Sequence, residues 1–78
     1  MDRQRIETLV LAVLATVLKC EVNPDSSRKN TPQWDSLKHI EVIFAIEDEL
    51  GLQFSEEALT ELNSVSQIVD GALALHAA

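Results

Sequence analysis

Apolar residues recur along this chain with the period of an α-helix. Ile6, Leu9, Val10, Val13, Leu14, Val17 and Leu18 fall at i, i+3, i+4, i+7, i+8, i+11 and i+12. That spacing makes one core-facing stripe and predicts a helix from about Asp2 to Cys20. Asn23-Pro24-Asp25-Ser26-Ser27 ends it and opens a polar loop that continues to about Gln33. The loop has no aliphatic residue after Val22, so Trp34 is expected to anchor its end on the core.

A second helix is predicted to start with Asp35 as N-cap, its carboxylate accepting from the backbone N–H of Leu37 or Lys38. Ile40, Ile43, Ile46, Glu47 and Leu50 approximate an inward face, with Glu47 near its edge. Leu37, Val42 and Phe44 make the helix apolar beyond one stripe, and Leu37 and Phe44 are expected on the outside. Gly51 suits a helix C-cap. Leu52-Gln53-Phe54 reads as a short extended linker with apolar plugs at both ends. Ser55-Glu56-Glu57 opens a short third helix, with acids where the dipole favours them. Asn63 or Ser64 caps a last helix, and Ser64-Val65-Ser66-Gln67 has the form of a capping box. Val65, Ile68, Val69, Ala72 and Leu73 give that helix its buried face, and Leu75 to Ala78 is expected to fray. With no repeat and no strand pattern, the fold class is all-α: a four-helix bundle whose third helix is short.

The length of 78 residues fits one domain, 1–78. A single cysteine cannot form an internal disulfide, so the core must come from the 46% of hydrophobic residues. Cys20 reads as a small buried hydrophobe near a helix end. Charge sharpens the picture. The net charge is −7; all six Lys and Arg lie in residues 1–38, and residues 39–78 hold eight acids with no Lys or Arg. That pattern excludes nucleic acid, which needs a basic stripe, and an anionic membrane surface. An acidic half-domain instead suits proteins with basic docking patches.

Leu9 to Leu18 is apolar except for Thr16, with Arg3 and Arg5 ahead of it and Cys20 behind. A lipoprotein signal is nevertheless rejected. Asp2 and Glu7 spoil the basic region, and Lys19 stands where a small residue is needed before the cysteine. The run is also too short to span a bilayer. A cytoplasmic monomer is the expectation.

The candidate chemistry centres on Asp35-Ser36-Leu37. A serine at the positive end of a helix is a favourable place for a phosphate. His39 lies three residues on, yet a catalytic triad needs an oriented base, an oxyanion hole and a pocket, and none is in sight. His39 reads as a surface histidine, and His76 lies in the expected fray. The acids lack calcium-loop spacing and Cys20 has no partner ligand, so no metal site is expected. Ser36 fits a serine that is modified better than a serine that attacks.

Asp35-Ser36-Leu37, followed by the run Ile40-Glu41-Val42-Ile43-Phe44-Ala45-Ile46-Glu47-Asp48-Glu49-Leu50-Gly51, resembles the acyl carrier protein family. Phe54, Glu56-Glu57, Ser64-Val65 and Ile68-Val69-Asp70 resemble its third and fourth helices. The resemblance covers about residues 31–74, and the first helix by pattern only. It implies that a phosphopantetheinyl transferase moves 4′-phosphopantetheine from coenzyme A onto Ser36, with Asp35 beside it. The arm's thiol would hold acyl intermediates as thioesters for fatty-acid, lipid or specialised acyl metabolism, and the chain itself would not be an enzyme. Leu37, Glu41, Phe44, Glu47 and Asp48 would form the surface for acyl-handling enzymes with basic patches. Gln33 stands where many members have glycine, the loop lacks the usual aliphatic plug, and Lys38 is basic at the head of an acidic interface. These departures point to a specialised, stand-alone member. The alternatives are an aminoacyl- or peptidyl-type carrier, and a helical adaptor that binds proteins without any modification.

Overall fold

The computed structural model describes residues 2–77. Four helices follow in chain order: α1 (Arg3–Leu18), α2 (Ser36–Leu50), α3 (Glu56–Glu61) and α4 (Val65–Ala77). α1 packs against both α2 and α4, and the core lies where their apolar stripes meet. α1 contributes Ile6, Val10, Leu14 and Leu18, with Leu11, Val13 and Val17 half-buried at its margins. α4 contributes Val65, Ile68, Val69 and Ala72, with Leu73 half-buried beside them. Phe54 and Leu62 close the core from either end of α3.

Local chemistry sets the helix ends. Asp2 caps α1 by accepting from the Arg5 N–H at 2.8 Å. Asp35 caps α2 by accepting from the Lys38 N–H at 2.9 Å. Ser55 caps α3 through the Ala58 N–H at 3.2 Å. At α4, Ser64 Oγ accepts from the Gln67 N–H at 3.1 Å. The return bond of the capping box is displaced by one residue: Gln67 Oε1 accepts from the Asn63 N–H at 2.9 Å. Both α1 and α2 close with a left-handed residue. Gly51 takes φ 66° at no steric cost, whereas Lys19 takes φ 56° and carries a Cβ into that region.

The connection between α1 and α2 is ordered by polar bonds in place of an aliphatic plug. Ser26 Oγ accepts from the Asn23 N–H at 3.0 Å, and Asn30 Oδ1 accepts from the Ser27 N–H at 2.9 Å. Trp34 is the hydrophobic anchor, with only 2% of its surface exposed. An antiparallel bridge joins Ser27 to Ser64. Around it the Arg28 N–H donates to the Asn63 carbonyl at 2.8 Å, and the Val65 N–H donates to the Ser26 carbonyl at 3.0 Å. The loop is thereby stapled to the junction of α3 and α4.

Four expectations are corrected. His39 is not a surface residue; it is 5% exposed. Ile40 is exposed rather than inward, and the buried face of α2 is His39, Val42, Ile43 and Ile46. Burying His39 between two hydrogen-bond partners fixes the rotation of α2, and Ile40, one position further round, is carried outward. α4 continues past Leu75 as far as Ala77 instead of fraying there; Ala78 lies outside the described residues. Cys20 is only half-buried, against the edge of the core.

Candidate functional site at the start of α2

Ser36 is the first residue of α2 and its side chain is exposed. Two features hold it there. The Asp35 cap starts the helix at this point, and the buried Trp34 fixes the chain just before it. Ser36 Oγ accepts from Arg28 Nη2 at 3.1 Å, and Arg28 Nη1 donates to Asn63 Oδ1 at 3.0 Å. Beside the hydroxyl runs an open groove of about 350 Å³ lined by Arg28, Ser36, His39, Ile40, Glu56, Leu59 and Thr60. An exposed hydroxyl, a cation within hydrogen-bond reach and an open groove accommodate a phosphodiester with an attached arm.

His39 cannot serve as a base for Ser36. Its Nδ1 accepts from Trp34 Nε1 at 3.0 Å, and its Nε2 lies 2.6 Å from the Leu59 carbonyl oxygen, to which it donates. Trp34 can only donate, so the ring is the neutral Nε2–H tautomer and both nitrogens are engaged. Burial holds the His39 pKa below its ordinary value; the Leu59 bond opposes that shift, and the Arg28 charge adds to it. The histidine is a structural tie between the end of the loop, α2 and α3.

The other residues singled out in the sequence divide into two groups. Leu37 and Phe44 are exposed at 70% and 58%, and Glu41 and Asp48 are exposed as well. Their helical spacing of i, i+4, i+7 and i+11 places all four on one face of α2. Ile40, 48% exposed, joins the same apolar stripe. Lys38 Nζ sits 3.4 Å from Glu41 Oε2 at the head of that face. Glu47 is used differently: its half-buried carboxylate accepts from the Phe54 N–H at 2.6 Å and ties the linker to α2.

Arg28 is the residue that sequence reasoning missed. It precedes Ser36 by eight residues in a polar loop, and only the bridge to the α3–α4 junction brings it back to the hydroxyl. The one available signal was the placement of Arg28, Lys29 and Lys38 around a serine in an otherwise acidic chain. Among the described residues, no three His, Cys, Asp or Glu side chains converge to hold a metal ion. No helix among them is long and apolar enough to cross a membrane.

Four helices with a short third make a small all-α bundle, and an exposed serine opens the second helix. The family model described as "Phosphopantetheine attachment site" matches residues 8–71, and the chain belongs to that family, the acyl carrier proteins. Its domain is a site of covalent 4′-phosphopantetheine attachment. As a carrier it performs no catalysis itself. The match takes in most of α1, which the sequence supported by its pattern alone.

Proposed function

We propose that Ser36 is the attachment residue and that residues 1–78 act as a single acyl carrier domain of the cytoplasm. When bound, 4′-phosphopantetheine supplies a thiol on a flexible arm that holds acyl groups as thioesters. The observation that carries the assignment is the position of Ser36: an exposed hydroxyl on the first residue of a capped helix. Asp35 holds that end of the helix in place. Arg28 keeps positive charge beside the oxygen. The neutral, doubly bonded His39 keeps the adjoining wall of the groove rigid.

Leu37, Ile40 and Phe44 form the apolar centre of a docking face, with Glu41 and Asp48 as its charged rim. Proteins with basic patches suit that rim, which orients their approach. A phosphopantetheinyl transferase and acyl-handling enzymes are the partners this reading assigns. Acyl metabolism of a specialised kind fits the cations around Ser36 and the polar loop better than general fatty-acid synthesis does.

The test is intact mass after incubation with coenzyme A and a promiscuous phosphopantetheinyl transferase. Loading forms the Ser36 Oγ–P bond, breaks the pyrophosphate bond of coenzyme A, and releases adenosine 3′,5′-bisphosphate and the hydroxyl proton. The chain should gain the mass of one phosphopantetheine, and Ser36→Ala should gain none. No gain, under conditions that load a control carrier, would favour the unmodified adaptor.

A further inference from the structure

Among the described residues, Arg28 is an arginine without an anion. Among the described residues the ion pairs are Arg3 with Asp70 and Lys38 with Glu41. No described carboxylate is paired with Arg28, in a chain that holds thirteen acids. The guanidinium is nevertheless held in place. Its backbone N–H is bonded to the Asn63 carbonyl at 2.8 Å and its Nη1 to Asn63 Oδ1 at 3.0 Å. Asn63 is fixed in turn, donating from Nδ2 to the Thr60 carbonyl at 2.9 Å. The other arm of the fork, Nη2, meets a neutral hydroxyl, Ser36 Oγ, at 3.1 Å.

We propose that Arg28 is a phosphate-holding residue: its guanidinium, braced by Asn63, pairs with the phosphodiester once Ser36 is loaded and fixes the root of the arm. This rests on the assignment of Ser36. A phosphorus bonded to Oγ brings its free oxygens into the neighbourhood of a donor already 3.1 Å from that atom. Arginine presents five N–H donors in a rigid fork suited to phosphate, and the bonds to Asn63 and Ser36 engage two of them. A charge-assisted bond replaces a neutral one, so loading strengthens the contact. Arg28 is a positioning residue; the loading chemistry belongs to the transferase.

The experiment compares apo and loaded forms of the wild type, Arg28→Gln, Arg28→Lys and, as a neighbouring-cation control, Lys29→Gln. Intact mass establishes loading in each. Loading should raise the wild-type melting temperature by roughly 2–6 °C. About 0.5 M NaCl should shrink that rise. Arg28→Gln should abolish the rise, Arg28→Lys should keep part of it, and Lys29→Gln should keep it whole. Loss of the Asn63 bond weakens apo and loaded forms alike, so it cancels in the increment. The phosphorus-31 resonance of the phosphodiester should also move between the wild type and Arg28→Gln. Should Arg28→Gln not fold, Arg28→Lys decides, because it retains charge but not the fork. An equal increment and an unmoved phosphorus resonance in loaded Arg28 variants would overturn the clamp and leave the carrier reading standing. Failure of the wild type to load would overturn both.

Discussion

His39 shows how one side chain can settle the geometry of a site without taking part in its chemistry. It joins the Trp34 indole, its own helix and the Leu59 carbonyl, and it does so only as neutral imidazole. Its pKa is lowered in the folded chain, so between that value and the ordinary one of about 6.5 the unfolded chain binds more protons. The His39 contribution is therefore complete above about pH 6.5 and is lost as the pH falls below it. Acidification from about pH 7.5 to about pH 5.5 should lower the melting temperature more for the wild type than for His39→Gln; this range stays above most carboxylate titration. Parallel curves for the two proteins would refute the linkage. His39→Leu should cost about 1–3 kcal/mol for each polar group it strands, the Trp34 N–H and the Leu59 carbonyl. None of this is written in the residues around position 39. The burial depends on Trp34 and on a carbonyl twenty positions away, and local spacing alone gave a surface histidine.

At the scale of elements, most of the fold was legible because its determinants are local. The stripe of α1, the caps at Asp35 and Ser64, and the glycine after α2 all act within about one turn of where they stand. The stop at Lys19 was not legible, since lysine gives no signal for a left-handed residue. Lys19→Gly should stabilise the chain by roughly 0.5–1 kcal/mol by removing a Cβ from that conformation. Gly51→Ala should destabilise it by about 1 kcal/mol. An added Cβ at Gly51 meets no atom within 4 Å, so that loss is conformational alone. Urea titrations of the two variants check the pair, and shifts of the same sign would contradict the capping account. The rotation of α2 was half legible: Leu37 and Phe44 face outward as their excess over a single stripe suggested, but Ile40 joins them because His39 takes the inward place.

The whole molecule places a polar loop, the start of α2 and the α3–α4 junction around one hydroxyl. Arg28 and Asn63 meet there although they are 35 residues apart, a long-range pairing that no periodicity in the sequence encodes. Charge is distributed at the same scale. The cations cluster in the first half of the chain, and the open face of α2 carries Glu41 and Asp48. Reversing either acid to lysine should lower turnover by a basic partner enzyme roughly 3- to 10-fold at low salt, with the circular dichroism spectrum unchanged. Normal turnover with every acyl-handling partner tested would remove α2 as the docking face.

Tryptic mapping of the loaded chain locates the arm that Ser36 is proposed to bear. Cleavage after Lys29 and Lys38 releases Asn30–Lys38, whose only hydroxyl side chains are Thr31 and Ser36. The added mass is expected on this peptide, localised by fragmentation to Ser36. Added mass on any other residue, or an unmodified peptide from a fully loaded chain, would contradict it.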